Sequence, residues 1–302
     1  MSESSTKVLI TGSNGLLGQK LVSYFQKNNI QFLATAKSDN KLSFLPKTNF
    51  EILDITNMVQ VGEVINNFKP THIINAAAMT NVDACEDFET ECFNINTRGV
   101  ANIIEEIDCS DTHLIQISTD FIFDGKKKLY TEEDTANPIS NYGLSKWNAE
   151  ELLFESGYHN FTILRTSLLY GVGEALNKGN IFSWALAELR LGKELNIVND
   201  QFRTPTYVED LVQACAKVIE LSEFGVYNIA GKELLSMNEY IKLVAKYLNV
   251  STEKVNSITS EKLNQKAKRP LSSGLDIGKA ESELAYKSTD FIESLSLIDV
   301  NN

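Results

Sequence analysis

"TGSNGLLG", Thr11 to Gly18, stands directly after the apolar run "KVLIT" and directly before a helical pattern from about Leu16 to Lys27. Its glycines, Gly12, Gly15 and Gly18, have the spacing G-x-x-G-x-x-G. In a strand–turn–helix setting Gly12 permits the tight turn, Gly15 lets the backbone approach a pyrophosphate, and Gly18 allows close helix–strand packing. The helix N-terminus supplies N–H donors and a favourable dipole for phosphates. Gly12, Asn14, Gly15, Leu16 and Leu17 are therefore candidate cofactor contacts. Taken alone, such a motif is as readily a structural turn; what surrounds it decides the reading.

Outward from this turn, short β-rich runs alternate with longer helical patterns. "IQFLATA", "FEILD", "THIINAAA", "HLIQIST" and "FTILRTS" are the runs; between them lie helical patterns near Val59–Phe68, through "ETECFNINTRGVANIIEEI", and around Tyr142. Continuous apolar strands with helices between them predict a parallel sheet covered on both faces. Successive right-handed crossovers make it an α/β, doubly wound, Rossmann-type sheet. After "LLYGVG" the pattern changes. A helix over Asn180–Gly192, a strand and loop in "ELNIVNDQFRTPTYVEDLV", and a strand in "GVYNIAG" precede a more polar, mostly helical stretch with a loop at "KAKRPLSSG". The expected division is a nucleotide-binding domain over residues 1–170 that also receives about 205–230. Residues 171–302 would form mainly a smaller, mostly helical substrate-binding lobe, interleaved with the first.

The chain has 302 residues, 43% hydrophobic and 23% charged, which is globular composition. No apolar run approaches the roughly 18 residues of a membrane span. The polar start "MSESSTK" reads as a tail without the features of a secretory signal, so the expected location is the cytoplasm. Cys85, Cys92, Cys109 and Cys215 are scattered without a C-x-x-C pair and read as inert thiols. His72, His113 and His159 are scattered too, giving no metal site and no Ser-His-Asp site. A net charge of −12 argues against nucleic acid as a partner. An anionic substrate would then need a local basic pocket, for which Arg165, Arg203, Lys266, Lys268 and Arg269 are the candidates.

The end of the second strand distinguishes NAD from NADP: an acidic residue there holds the ribose 2′-hydroxyl, whereas a basic one tolerates a 2′-phosphate. Ala36 occupies the acidic place and Lys37 follows it, with Asp39 late. This favours NADPH over NADH, the competing reading being a solvated loop lysine. Asp54 and Ile55 are placed to meet the adenine. Asn75, Ala76, Ala77 and Ala78 are small enough to pass under the nicotinamide ribose.

Tyr142 and Lys146 are one helical turn apart in "NYGLSK" and so share a face. A free tyrosine, with a pKa of about 10, is a poor acid at neutral pH; a nearby ammonium favours the phenolate. A hydroxyl in "ISTDF", at the carboxyl end of the fifth strand, would orient a carbonyl beside it.

Together with the glycine motif, "NAAA" and "STD", this pair resembles the extended short-chain dehydrogenase/reductase family. "INAAAMTNVDACED", "NINTRGVANI", "STDFIFDG", "YGLSK", "ILRTSLLYG", "NDQFRTPTYVEDL" and "KRPLSSGLD" continue the resemblance in register almost to the C-terminus. They are most similar to the branch that reduces the C4 ketone of dTDP-6-deoxy-4-keto sugars, giving dTDP-L-rhamnose for cell-surface polysaccharide. The resemblance implies the triad Thr119, Tyr142 and Lys146, with Lys146 also bonding the nicotinamide ribose. It implies a nucleotide-sugar site lined by Thr80, Thr119, Asp120 and Phe121, with Arg269 as a charged contact.

Related 4,6-dehydratases carry an acid after "STD", where this chain has Phe121, and the cysteine–histidine pair of epimerase-reductases is not in the corresponding stretch. Chemistry needing one acid, carbonyl reduction, remains. Leu168 replaces a tryptophan of the family, and Lys20 stands where some members have a magnesium-linked acid. Magnesium and that mode of dimerisation are therefore not expected here, although a homodimer is compatible with the resemblance. The stretch "FDGKKKLYTEEDTA" is either a flap over the substrate or a solvated loop. Two other readings are a non-catalytic NADP-binding regulator, like the methionine adenosyltransferase regulatory subunit on the same scaffold, and a reductase or epimerase of another nucleotide sugar.

Overall fold

The computed structural model describes residues 6–107, 110–176 and 180–298. Cys109 and the polar start Met1–Ser5 lie outside them. Val8, Leu9 and Ile10 are all essentially inaccessible, because β1 (Lys7–Thr11) is covered on both faces. Val8 and Ile10 enter one apolar core and Leu9 the other, as alternation along a strand requires. This is why the sheet strands read as unbroken apolar runs.

The other strands of the sheet are β2 (Gln31–Ala36), β3 (Phe50–Ile52), β4 (His72–Asn75), β5 (His113–Thr119), β6 (Phe161–Thr166) and β7 (Gly225–Ile229). Their spatial order is β3-β2-β1-β4-β5-β6-β7, and every pairing is parallel. The strand order reverses between β1 and β4, the point at which doubly wound sheets bind ligands.

The connecting helices include α1 (Leu16–Lys27) and α2 (Met58–Phe68). A short helix α3 (Val82–Asp87) follows "MTN", and the long pattern "ETECFNINTRGVANIIEEI" is not one helix. It divides into α4 (Glu89–Phe93), a π-helical turn over Asn94–Arg98, and α5 (Gly99–Ile107). Asn96 in the π turn accounts for the break: its side chain exchanges hydrogen bonds with the backbone of Met79 and donates to Ser145. Next comes α6 (Asn141–Glu155), capped by Ser140 accepting from Gly143 N–H at 3.2 Å.

The C-terminal lobe contains α7 (Ile181–Arg190) and α9 (Met237–Tyr247), while α8 (Val208–Leu221) returns to pack on α1. The lobe holds more strand than the sequence suggested. The expected strand in "ELNIV", Leu195–Val198, pairs with Val255–Ile258, and Phe202–Arg203 pairs with Leu235–Ser236; these last three segments are too short to show a period. The "FDGKKKLYTEEDTA" stretch is anchored at buried Tyr130, whose ring stacks on Phe123 at 4.2 Å and whose backbone pairs with Leu275. No helix among the described residues is long and apolar enough to cross a membrane.

Candidate active site

The glycine turn meets the β4 end backbone to backbone. Gly12 has φ +70°, and a Cβ there would lie 2.7 Å from the Ala77 nitrogen and 2.8 Å from the Ala76 carbonyl. A Cβ on Gly18 would lie 2.4 Å from the Gly12 carbonyl oxygen. Gly15 is different: it is exposed, heads α1 without a side-chain cap, and a Cβ there would reach only the Gly12 carbonyl oxygen, at 3.3 Å. The first-turn N–H groups of α1, at Leu16 and Leu17, are thus free of side-chain competition. Asn14 ties the turn to the loop after β2, donating to the Asp39 carbonyl at 2.9 Å and accepting from Lys41 N–H at 3.1 Å. These features fit a dinucleotide pyrophosphate.

Below the turn, Thr11 donates to Asn75 Oδ1 at 2.5 Å and Asn75 donates to Gln116 at 2.7 Å. Buried Asn75 therefore shapes the floor through its side chain, leaving half-buried Ala76, Ala77 and Ala78 to border the cleft. Lys37 is paired with Asp54 at 3.2 Å, its own side chain 66% exposed. Asp54 is held below the usual carboxylate range by hydrogen bonds from Thr56 and by Lys37, against the opposing effect of burial. Ile55 is packed against Gly99, so its side chain belongs to the core. A cavity of about 670 Å³ opens here between Lys37, Thr56, Glu86 and Asn94.

The catalytic candidates converge at the end of β5. Gly143 brings α6 close: a Cβ there would lie 2.2 Å from the Phe121 carbonyl oxygen. This places the Tyr142 phenol beside the Thr119 side chain. Phe121 meets the Tyr142 ring edge-on, with centroids 5.6 Å apart. Lys146 is buried and donates to the Ile117 carbonyl at 2.6 Å. Burial pushes the Tyr142 phenol above its usual range, against the effect of the neighbouring Thr119 hydroxyl. Burial likewise brings the Lys146 ammonium down to about 8, against the attraction of Glu150. The lowered phenol expected from the Tyr–Lys spacing is thus overridden by desolvation, the larger effect. Ser118, the neighbouring hydroxyl, is buried against Glu150.

The basic residues expected to form an open anion pocket are mostly engaged. Arg165 is buried in a bidentate pair with Glu150, and Arg203 is buried beside Asp120 at 3.3 Å. Arg269 grips Asp83 through both terminal nitrogens, at 3.0 and 2.7 Å. Lys266 pairs with Asp87, and Lys268 is exposed. Asp120 itself is inaccessible, between Ser273, Arg203 and the Thr119 hydroxyl; burial pushes its carboxyl up. Thr80 is exposed at the end of "NAAAMT". Leu168 has φ +43°, a rare conformation for a branched residue. Lys20 is paired with Glu209 at 2.9 Å.

Two residues were not legible as site residues. Glu150 looks like an ordinary acidic helix residue. Gln19 donates to the Asn14 and Glu174 carbonyls, pinning the glycine turn to the segment after β6. Only the four-residue step from Lys146 to Glu150 hinted at either.

The RmlD substrate binding domain model matches residues 6–299. The chain belongs to this family. Its relatives include a dTDP-4-dehydrorhamnose reductase of Aggregatibacter actinomycetemcomitans, 32% identical over 97% of this chain and 98% of the relative. The structure of dTDP-4-dehydrorhamnose reductase from Bacillus anthracis in complex with NADP superposes with a TM-score of 0.87 at 28% identity, covering 99% of this chain and all of that one. The rat methionine adenosyltransferase 2 subunit beta is also similar, 29% identical over 92% of this chain and 82% of the relative. The RmlD-family match spans both the doubly wound sheet and the C-terminal lobe.

Proposed function

We propose that the protein is an NADPH-dependent reductase of the C4 ketone of a dTDP-6-deoxy-4-keto sugar, converting dTDP-4-dehydro-L-rhamnose to dTDP-L-rhamnose in the cytoplasm. The observation that carries this reading is the meeting of the buried Tyr142 phenol and the Thr119 side chain at the carboxyl end of β5, with Lys146 one turn further along α6 and bonded to the same strand. The similarity to dTDP-4-dehydrorhamnose reductases over nearly the whole chain supports the substrate class.

In this reading residues 1–170, with about 205–230, hold the cofactor, and 171–302 mainly close over the nucleotide sugar. Gly12, Asn14, Gly15, Leu16 and Leu17 receive the pyrophosphate, and Lys37 and Asp54 border the adenosine ribose. NADPH supplies the hydride when bound. Thr119 orients the substrate carbonyl by hydrogen bonding. Tyr142 supplies the proton that the carbonyl oxygen takes up, and Lys146 keeps a positive charge beside it. Burial keeps the phenol protonated before substrate is reduced, so Tyr142 arrives able to give its proton to the more basic alkoxide. Phe121 offers no acid for dehydration.

The test is a panel of 4-keto-sugar nucleotides with NADPH and with NADH. Cofactor oxidation only in the presence of a dTDP-4-keto-6-deoxy sugar is the expected result. Binding of NADPH with no turnover on any member would instead favour a regulatory subunit of the methionine adenosyltransferase type, which the intact triad disfavours.

A further inference from the structure

Three consecutive residues of β5 are each met by one residue from a single stripe of α6, two of them through hydrogen bonds. Tyr142 meets Thr119, Lys146 donates to the Ile117 carbonyl, and Glu150 accepts from Ser118 Oγ at 2.5 Å. Tyr142, Lys146 and Glu150 recur every fourth position and therefore lie along one face. Glu150 is completely inaccessible, where an unpaired carboxylate would be strongly disfavoured. Its second partner is Arg165 on β6, whose Nε lies 3.2 and 3.1 Å from its two oxygens and whose Nη2 lies 2.7 Å from one of them. Arg165 is itself fixed by donating to the Glu132 carbonyl at 3.1 Å.

We propose that Glu150 is a positioning residue of the reductase: its buried carboxylate sets the register of α6 against the end of β5 and keeps Lys146 in its ammonium form. The charged and titratable groups around Lys146 are Tyr142 and Glu150 on α6, Cys92 on α4 with Cys85 on α3, Arg165 beyond Glu150, and Asp120 on the far side of Tyr142. Glu150 is the foremost of these in favouring the ammonium, and Cys92 acts in the same direction. Replacing Glu150 by glutamine would remove that attraction. It would also leave the Arg165 guanidinium uncompensated, which disfavours a second cation nearby.

The activity readout rests on the reductase reading, so NADPH affinity, followed by its fluorescence across pH, is measured beside turnover. In wild type both lose ground as Lys146 gives up its proton at alkaline pH. In Glu150→Gln that alkaline limb should move to lower pH by about one unit, so that above the limb the mutant falls about tenfold below wild type. Ser118→Ala, which removes a hydrogen bond but no charge, should leave the limb in place. A Glu150→Gln protein with a lowered Tm but an unmoved limb would have lost only packing, and the proposal would fall. Should Glu150→Gln not fold, Glu150→Asp carries the test. It retracts the charge by one methylene and should move the limb by a smaller step in the same direction; an unmoved limb overturns the proposal. A wild type that binds NADPH but reduces no keto sugar sinks the reductase reading, while the affinity limb still decides the role of Glu150.

Discussion

Lys146 donates from Nζ to the carbonyl of Ile117 at 2.6 Å, two residues before Thr119 on the same strand. The ammonium is therefore fixed to the strand that carries the Thr119 hydroxyl, and the helix carrying Tyr142 is fixed with it. Its cost is burial, which brings the Lys146 pKa to about 8.

That cost gives a stability prediction. Between about pH 8 and the ordinary lysine value of about 10.4, the unfolded chain holds a proton that the folded protein has released, so this group makes stability rise with pH there. The rise is on the order of 3 kcal/mol at most. Lys146→Met should remove it: the mutant, without cofactor, should lack the gain between pH 8 and 10 that wild type shows. NADPH affinity and turnover should also drop. Denaturant titrations at a series of pH values check the first part, and an undiminished rise in the mutant would show that another group is responsible.

Lys37 should contribute modestly to cofactor choice. It is mostly exposed and already paired with Asp54, and an exposed charge contact is worth roughly 1 kcal/mol or less. Lys37→Ala should weaken NADPH by about fivefold or less and leave NADH nearly unchanged. Titration of both cofactors against both proteins decides it. Equal NADPH and NADH affinities in wild type, untouched by the substitution, would remove Lys37 from the cofactor site.

The sheet was legible because two-sided burial leaves a plain mark, the unbroken apolar run, as in Val8–Ile10. The glycine turn was legible because Gly12 and Gly18 are demanded by backbone contacts that no other residue allows. The state of the charged side chains was not. Arg165, Arg203 and Arg269 were candidates for an open anion site, yet each is held by a carboxylate distant in sequence, Glu150, Asp120 and Asp83. Such pairings depend on tertiary approach. The same holds for the phenol of Tyr142, whose spacing from Lys146 is visible in sequence but whose desolvation is not.

The three glycines should separate by experiment. Gly18→Ala forces a Cβ to within 2.4 Å of the Gly12 carbonyl oxygen and 2.6 Å of Ser13 Cα. Backbone must shift, at a cost of about 1–3 kcal/mol, and Tm should fall. Gly15→Ala brings a Cβ to 3.3 Å from the Gly12 carbonyl oxygen, which a shift of a few tenths of an ångström relieves, so Tm should fall much less, but the new methyl sits where the pyrophosphate approaches and NADPH affinity should drop. Thermal melts and NADPH titrations of both mutants test this. A Gly15→Ala protein with wild-type affinity would place the phosphates elsewhere.

Tyr142→Phe tests the chemistry. The substitution removes one oxygen and leaves the ring, its edge contact with Phe121 and the Lys146–Ile117 bond in place. The buried phenol is neutral at working pH, so the substitution removes no buried charge and the fold should change little in stability. NADPH binding should change little. Turnover should fall by about 10²–10⁴, the usual loss for a positioned general acid. The Thr119 hydroxyl stays in place, accepting from Phe121 N–H at 3.2 Å and donating to Asp120 at 3.3 Å, so Thr119→Val should cost turnover on its own account. Because the two hydroxyls act on one oxygen, the double mutant should lose less than the product of the two single losses. Single-turnover reduction with NADPH, alongside cofactor affinity, separates these effects. A Tyr142→Phe enzyme that keeps near wild-type turnover would move the proton donor to another group.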